Sequence, residues 1–311
     1  MNPAVSIVIS TRNRRDDVVR AVASSLSQHY EPFEVLLYDD ASTDGTAEAV
    51  RARFPEVRVF SSREQAGYLV WRNQGFRDAS GEFVVSIDDD SYFTVPDTVT
   101  RIVEEFDEFP RAAALALPYY EPRSDRSTGF MRSQRPGTRL RSYVGCAHAV
   151  RRRVFLEFGG YRELLTHQGE ERDLCLRLID GGWDIVYADT PPLVHLYSPH
   201  RDRDRVNFYG YRNTLLFSGL NVPQPYLLPR MLIDTVQLLR YRFTWKSLPV
   251  KLRALTAGWS ASWRFRAERA PVSRAAYRVF RSLPGHGPVE PSCVGLPEPL
   301  RQETSAVCWK S

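Results

Sequence analysis

Short apolar runs alternate with amphipathic stretches along the first hundred residues. The runs at residues 5–9, 34–38, 57–60 and 81–87 are rich in β-branched and aromatic residues and have the length of β-strands. Between them, residues 16–26, 46–54 and 68–79 carry apolar residues at helical spacing. This rhythm predicts βαβ units and a mostly parallel α/β sheet flanked by helices.

The pattern continues with a helix opened by Pro96 that extends to about residue 108 and strands at 112–117 and 143–150, the second followed by a helix. A polar loop rich in Arg, Ser and Gly lies between these strands, at residues 121–139. Residues 225–270 have a helical pattern, whereas the last 28 or so residues are rich in Pro and Gly. We therefore predict a catalytic domain over residues 1–220, a basic helical extension over 221–282 and a disordered tail over 283–311.

The composition is that of an ordinary globular protein, with 43% hydrophobic and 25% charged residues. The most apolar long stretch, residues 222–239, is interrupted by prolines and charges, so no membrane-spanning helix is predicted. The N-terminus has no features of a signal peptide, and the four cysteines lack the spacing of a metal knuckle or disulfide framework. These features favour a cytoplasmic protein.

Charge is distributed unevenly along the chain. Residues 201–281 contain 16 Lys or Arg and 4 Asp or Glu, an excess of +12, which leaves −7 for the rest of the chain. Trp245, Trp259 and Trp263 lie among Leu and Arg in this region, a pattern typical of a helix at an anionic membrane surface. The alternative is that these helices simply cover the catalytic domain. From the basic and aromatic pattern we expect a protein that is peripheral on the inner face of a membrane. Because the sequence has no nucleic-acid-binding motif, we expect no binding to nucleic acid.

Acidic residues follow two of the predicted strands. One strand ends in Asp39 and Asp40, at the edge of a parallel sheet where ligands bind, and a carboxylate there can accept the imide hydrogen of uracil or thymine. The alternative is that both residues cap the next helix. Another strand ends in Asp88, Asp89 and Asp90, whose mutual repulsion a divalent cation would relieve. Oxygen ligands favour Mg²⁺ or Mn²⁺, and a solvated acidic loop is the alternative.

Two further features have both structural and functional interpretations. Glu170, Glu171 and Asp173 begin an amphipathic helix, where carboxylates favour the helix dipole but can also act as a general base. His195 ends a short apolar run and is either a structural residue or a metal ligand.

Six segments, in their order and spacing, resemble the family 2 inverting glycosyltransferases of the GT-A fold over about residues 4–215. They are VSIVISTRNR, DDASTDGT, AGYLVWRNQG, ASGEFVVSIDDD, FGGY and GEERDLCLRL. The resemblance implies a Rossmann-like nucleotide-binding sheet with a C-terminal helical extension. It also implies that Ser10, Arg12, Arg72 and Asn73 contact the nucleotide, that Asp40 reads the base, that Asp88 holds ribose and metal, and that Asp90 and His195 bind the metal.

The same resemblance implies the reaction. A sugar would pass from a nucleoside-diphosphate sugar to a hydroxyl of a saccharide or lipid-linked acceptor, with inversion and with Mg²⁺ or Mn²⁺, in cell-envelope polysaccharide or glycolipid synthesis. Glu171 falls at the position of the catalytic base, where the family usually has Asp; the longer side chain moves the carboxylate by roughly an ångström. Glu170 and Asp173 are the alternatives for this role. A nucleotidyltransferase and a non-catalytic nucleotide-sugar-binding protein are the alternatives, although the first usually has a Gly-rich phosphate loop that this chain lacks.

Overall fold

A computed structural model describes residues 3–122, 134–196 and 202–289. Its strands are β1 (Val5–Thr11), β2 (Phe33–Asp39), β3 (Arg58–Ser61), β4 (Phe83–Asp88), β5 (Ser91–Tyr92), β6 (Ala112–Ala116), β7 (Tyr119–Tyr120), β8 (Ala147–Arg151), β9 (Asp184–Tyr187) and β10 (Leu193–His195). Its α-helices are α1 (Arg15–Leu26), α2 (Thr46–Arg53), α3 (Tyr68–Asp78), α4 (Thr98–Glu108), α5 (Arg152–Glu157), α6 (Glu170–Asp180), α7 (Arg203–Asn221), α8 (Leu227–Arg240), α9 (Leu248–Arg264) and α10 (Arg274–Ser282).

Seven strands form the central sheet in the order β3-β2-β1-β4-β8-β6-β9. Strands β3, β2, β1 and β4 run parallel, as the βαβ rhythm predicts, and β6 pairs with β9 in parallel. Strand β8 lies antiparallel between β4 and β6. The predicted mostly parallel α/β sheet is therefore confirmed, with one reversed strand.

Alternating residues of the central strands pack on opposite faces of the sheet. On β1, Ile7 and Ile9 pack into a core covered by α1 and α4, while Val8 packs into a second core with α3, α6 and α7. This alternation is the period of two expected of a strand. Helices on both faces exclude water from the apolar strands, so ligands can reach the sheet only at its edges.

A small second sheet, β5-β10-β7, brings the end of the apolar run at residue 195 to the acidic strand end. β5 begins directly after Asp90, and Ser91 pairs with His195 of β10. Two segments about 100 residues apart in the sequence therefore meet at one strand edge.

The predicted helical extension is present as α8, α9 and α10. Helix α9 packs along α7, α8 contacts both of them, and α10 packs against α6. None of the helices in the described part of the chain combines the length and apolar character needed to cross a bilayer.

The tail predicted to be disordered from residue 283 makes tertiary contacts over residues 283–289, the part of it that the structure describes. The Pro284 carbonyl accepts a hydrogen bond from Arg141, and the Val289 N–H donates to Tyr119 at 2.9 Å. His286 lies edge-on to the rings of Tyr119 and Tyr187. Tertiary contacts order this Pro- and Gly-rich segment, which composition alone predicts to be loose. Residues 290–311, and residues 123–133 of the predicted polar loop, lie outside the described residues.

Candidate active site

A cleft of about 790 Å³ opens at the carboxyl ends of the parallel strands. This is the edge at which open α/β sheets bind ligands. The structure brings most of the sequence-predicted site residues to it: Ser10, Arg12, Asp40, Arg72, Asp88, Asp90, Glu171 and His195 all line the cleft.

Asn73 is different, because its side chain is buried behind the cleft. Its amide donates to the Tyr161 carbonyl and to Glu163, and its oxygen accepts from the Tyr161 N–H at 2.9 Å. Asn73 therefore ties α3 to the turn at residue 161, and the structure does not place it against a nucleotide.

Asp40 holds the loop that leads into α3. Its carboxylate accepts hydrogen bonds from the Ala66 N–H at 2.7 Å, the Gly67 N–H at 3.1 Å and the Trp71 indole N–H at 2.8 Å. Asp39 instead accepts from the Ser42 N–H in the turn before α2. The alternative that both residues cap α2 is therefore not what the structure shows, and Asp40 lies on the cleft wall.

Asp88, Asp90 and His195 form a cluster that could hold a metal ion. One ligand atom from each lies within 4.8 Å of the others. His195 Nε2 is 3.9 Å from Asp88 Oδ2 and 3.3 Å from Asp90 Oδ1. Carboxylates suit Mg²⁺ and Mn²⁺, and the imidazole nitrogen suits a transition metal, so the ligand set fits Mn²⁺.

Glu121 orients the histidine of this cluster. Its Oε1 lies 2.8 Å from His195 Nδ1. When Nδ1–H donates to this carboxylate, the Nε2 lone pair faces Asp88 and Asp90, the arrangement that supports metal-binding histidines in other proteins. Among the described residues, the buried Asp90 Oδ1 has no hydrogen-bond partner, so this oxygen can bind a metal ion.

The three consecutive carboxylates at this strand end, Asp88, Asp89 and Asp90, are crowded together. Burial, followed by the charge of Asp90, raises the pKa of Asp89 to about 7, while Arg14 acts in the opposite direction. Burial alone would raise the pKa of Asp90, but His195 and Arg14, whose Nη1 lies 2.7 Å from Asp90 Oδ2, lower it. The cluster thus needs positive charge, which Arg14 supplies only in part.

Glu171 lies in the first turn of α6 and lines the cleft. Its Oε1 accepts a hydrogen bond from the Gly145 N–H at 3.0 Å. Burial, and next the charge of Glu170, raise the pKa of Glu171 to about 8, against the opposing effect of Arg72. A carboxylate with a pKa in this range is suited to take a proton near neutral pH.

The two neighbouring carboxylates are held in other roles. Glu170 is 1% exposed and accepts a hydrogen bond from the Tyr68 hydroxyl at 2.6 Å. Asp173 is fully buried and ion-paired with Arg162 and Arg177. Asp173 is therefore a structural residue of the helix. Of the two glutamates that begin α6, Glu171 is more exposed than Glu170.

Arg72 and Gly145 connect the acidic cluster to Glu171. The buried Arg72 guanidinium donates to Asp88 and, at 3.2 Å, to the Gly145 carbonyl. A Cβ at Gly145 would lie 2.6 Å from Glu171 Oε1 and 2.7 Å from Arg72 Nη1, so only glycine permits this approach. Sequence reasoning missed Gly145, Glu121, Arg14 and Tyr68, because their roles depend on contacts between distant segments.

The loop before α6 is held in an unusual conformation. Thr166 and Gln168 have φ of 62° and 66°, in a region that side chains rarely adopt. The two N–H groups of the buried Asn213 amide on α7 are shared among the carbonyl oxygens of Leu165, His167 and Gln168, each 2.7 Å from the amide nitrogen. Asn213 thereby fixes the loop that positions Glu171.

Comparison with known proteins identifies the family. Residues 6–159 match the model of "Glycosyl transferase family 2". This half of the chain belongs to glycosyl transferase family 2. The matched segment of this family 2 chain contains the strand ends that carry Asp40 and Asp88, together with Arg72 and Gly145.

Curated relatives of this family 2 chain support the assignment. It is 34% identical over 106 residues to the succinoglycan biosynthesis protein ExoO of Rhizobium meliloti, which is 34% of this chain and 30% of that protein. It is 24% identical over 259 residues to the N-acetylglucosaminyl-diphospho-decaprenol L-rhamnosyltransferase of Mycobacterium tuberculosis, which is 70% of this chain and 84% of that one. The chain spans less than half the length of the first curated relatives it matches.

Solved structures confirm the fold predicted for the family 2 chain. A mannosyltransferase from Pyrobaculum calidifontis, in complex with GDP-Man and Mn²⁺, superposes with a TM-score of 0.57 at 21% identity, covering 98% of this chain and 84% of that one. The GT-A type α/β fold predicted from the sequence is confirmed.

Proposed function

We propose that the chain is a metal-dependent inverting glycosyltransferase that moves a sugar from a nucleoside-diphosphate sugar to a hydroxyl acceptor. The observation that carries this proposal is the arrangement of the cleft. A metal-type cluster of Asp88, Asp90 and His195 and a carboxylate with a raised pKa, Glu171, line one cleft and are linked through Arg72. These are the groups that a single displacement at an anomeric carbon requires.

Each residue has a role in this mechanism. Ser10, Arg12 and Asp40 would bind the nucleotide, with Asp40 facing the base. Asp88, Asp90 and His195 would hold Mn²⁺ or Mg²⁺, which supplies positive charge for the departing diphosphate.

Glu171 would act on the acceptor side of the cleft. The Gly145 N–H holds Oε1 of Glu171. The other carboxylate oxygen, Oε2, would take the proton of the acceptor hydroxyl while the hydroxyl oxygen attacks the anomeric carbon. The new glycosidic bond forms on the face opposite the breaking bond to the diphosphate, so the anomeric configuration inverts. The proton stays on Glu171 until solvent removes it.

The relatives support the classes of donor and acceptor. The Pyrobaculum mannosyltransferase is in complex with GDP-Man and Mn²⁺, which supports a nucleoside-diphosphate sugar with a divalent cation. The name of the Mycobacterium relative describes a polyprenyl-diphosphate-linked sugar. We propose a saccharide or lipid-linked acceptor in cell-envelope polysaccharide or glycolipid synthesis, with the protein acting at the cytoplasmic face of a membrane.

A thermal-shift screen of UDP-, dTDP- and GDP-sugars, each with and without Mn²⁺, tests the donor class. A ligand that binds the native state raises the melting temperature, so we expect one nucleotide class to do so only with Mn²⁺. The stabilising donor is then incubated with the protein alone, and slow Mn²⁺-dependent release of the nucleoside diphosphate is expected. Stabilisation without any hydrolysis or transfer would support a non-catalytic binding protein, and no stabilisation by any nucleotide sugar would overturn the proposal.

A further inference from the structure

Helix α8 presents an apolar face to solvent. Leu228, Leu232, Ile233 and Val236 are 57%, 52%, 48% and 53% exposed. Their spacing of four, one and three residues places them on one side of the helix. The opposite side, with Met231, packs against α7 and α9. Exposed apolar residues that are contiguous, rather than scattered, mark an interaction surface.

Aromatic residues extend this character into the turn after α8. Tyr241, Phe243 and Trp245 are 56%, 46% and 80% exposed, and the rings of Phe243 and Trp245 lie edge to face at 5.4 Å. The buried Lys251 of α9 donates to the carbonyls of Leu239 and Tyr241. The turn is therefore fixed to the protein while its rings point outward.

The segment 226–246 is basic as well as apolar. Arg240, Arg242 and Lys246 are exposed, and its one acidic residue, Asp234, is 3% exposed and bonded to Arg230. The segment thus has a net charge of +3. Aliphatic and aromatic side chains bordered by Arg and Lys are the features of helices that lie in the boundary of an anionic bilayer.

We propose that residues 226–246, the docking segment, bind the surface of an anionic lipid bilayer. A second copy of the chain fits less well, because a twofold interface would oppose two segments of charge +3. Vesicle binding by this segment does not depend on the proposed function. The proposed function gives only the purpose of the binding, which is to bring the cleft to a membrane-borne acceptor.

The structure separates the residues of the basic region. Trp245 lies in the docking segment, and Trp263, which is 72% exposed, lies outside it near the end of α9. Trp259 donates its indole N–H to Thr235, and Phe265 packs against the core beneath the sheet. Helix α10 packs on α6. Trp259, Phe265 and α10 pack against the rest of the protein, as the alternative interpretation of the sequence has it, whereas the turn after α8 and the face of α8 that carries Leu232 and Val236 are exposed.

Co-sedimentation of the full chain with vesicles tests the proposal. The vesicles are phosphatidylcholine alone or phosphatidylcholine with phosphatidylglycerol, each at about 0.1 M and about 1 M salt, because salt screens the attraction of basic side chains. We expect binding to anionic vesicles at low salt that weakens at high salt.

Two double variants and two matched controls locate the surface. Leu232→Ser with Val236→Ser should weaken binding about tenfold or more, and Arg240→Gln with Lys246→Gln roughly 10- to 30-fold. Leu156→Ser, at an aliphatic residue 37% exposed elsewhere, and Arg63→Gln with Arg153→Gln, at exposed basic positions elsewhere, should bind as the wild type does.

Three outcomes would overturn the docking proposal. They are a wild-type chain that stays in the supernatant with anionic vesicles at low salt, docking-segment variants that bind as tightly as the controls, and a wild-type dimer that the Leu232 and Val236 changes convert to monomer without any vesicle binding by either. Donor-induced thermal shifts, measured without lipid, should be the same in all of these variants. A wild-type chain that binds vesicles but no nucleotide sugar would count against the proposed function and not against the docking segment.

Discussion

Replacing Glu171 with Gln should remove the proposed base while preserving the shape of the site. Gln has the same length, and its carbonyl oxygen can still accept the Gly145 N–H that holds Glu171 at 3.0 Å. A general base contributes about 10²- to 10⁴-fold in rate, which corresponds to about 3 to 5 kcal/mol of the barrier. We expect turnover to fall by this factor in a coupled assay of nucleoside-diphosphate release, while donor affinity stays within a few-fold.

The pH dependence of turnover gives a second readout of the same group. Burial and the charge of Glu170 raise the pKa of Glu171 to about 8. Only the ionised form accepts a proton, so turnover should increase with pH through the pKa of Glu171 and then level off. The charge of Asp88 also raises the pKa of Glu171, so Mn²⁺ bound at Asp88 should move this limb to lower pH. The Gln variant should lack the limb.

Stability separates lost chemistry from lost folding. The pKa of Glu171 is higher in the folded protein than its ordinary value of 4.5, so the stability linked to this group is present below pH 4.5 and is lost as pH increases through about 8. Without Mn²⁺, Glu171→Gln should therefore melt at a higher temperature than the wild type at pH 9 and at a similar temperature at pH 4.5. Asp173→Asn is the control, and it should lower the melting temperature because it breaks buried ion pairs. A folded, inactive Asp173→Asn beside an active Glu171→Gln would refute the assignment of the base.

Three further substitutions test the surroundings of the site. Glu121→Ala should weaken Mn²⁺ affinity about 10- to 100-fold in calorimetry, because His195 loses its orienting carboxylate; unchanged affinity would count against His195 as a ligand. Gly145→Ala should lower kcat about 10²-fold with little change in melting temperature, because the alanine Cβ would displace Glu171. An unchanged kcat would show that catalysis does not need the close contact between Gly145 and Glu171. Asn213→Ala should lower kcat more than it weakens donor binding, because the loop before Glu171 loses the amide that bonds to three of its carbonyls; an equal loss of both would indicate a general structural role.

The edge of the sheet that carries Asp40 and Asp88 was predictable from the sequence for a physical reason. Asp40 and Asp88 each follow an apolar strand, and the carboxyl ends of parallel strands meet at one edge of a sheet. The local pattern of each strand therefore placed both carboxylates at the same edge. The strand predicted at residues 143–150 was also found, at Ala147–Arg151, but its antiparallel direction was not visible in its composition.

The rest of the site depends on pairings that leave little local signal. β5 and β7 have two residues each, too few to show alternation, yet β5 brings His195 to Asp90. Glu121 begins a polar loop whose composition carries no signal for a contact with His195. Val289 belongs to a segment whose Pro and Gly content predicted disorder, yet it is 4% exposed. In these cases tertiary contacts decided the structure.

Donor binding by the wild type and by Asp90→Asn shows whether the nucleotide-sugar site is built around a divalent cation. The amide retains the size of Asp90 but removes the charge that attracts a hard cation. Calorimetric titration of the stabilising nucleotide sugar, with Mn²⁺ and with chelator, should show tight binding by the wild type with Mn²⁺ and weak binding in the other three combinations. Equal Mn²⁺-dependent affinity in the wild type and Asp90→Asn would contradict the account.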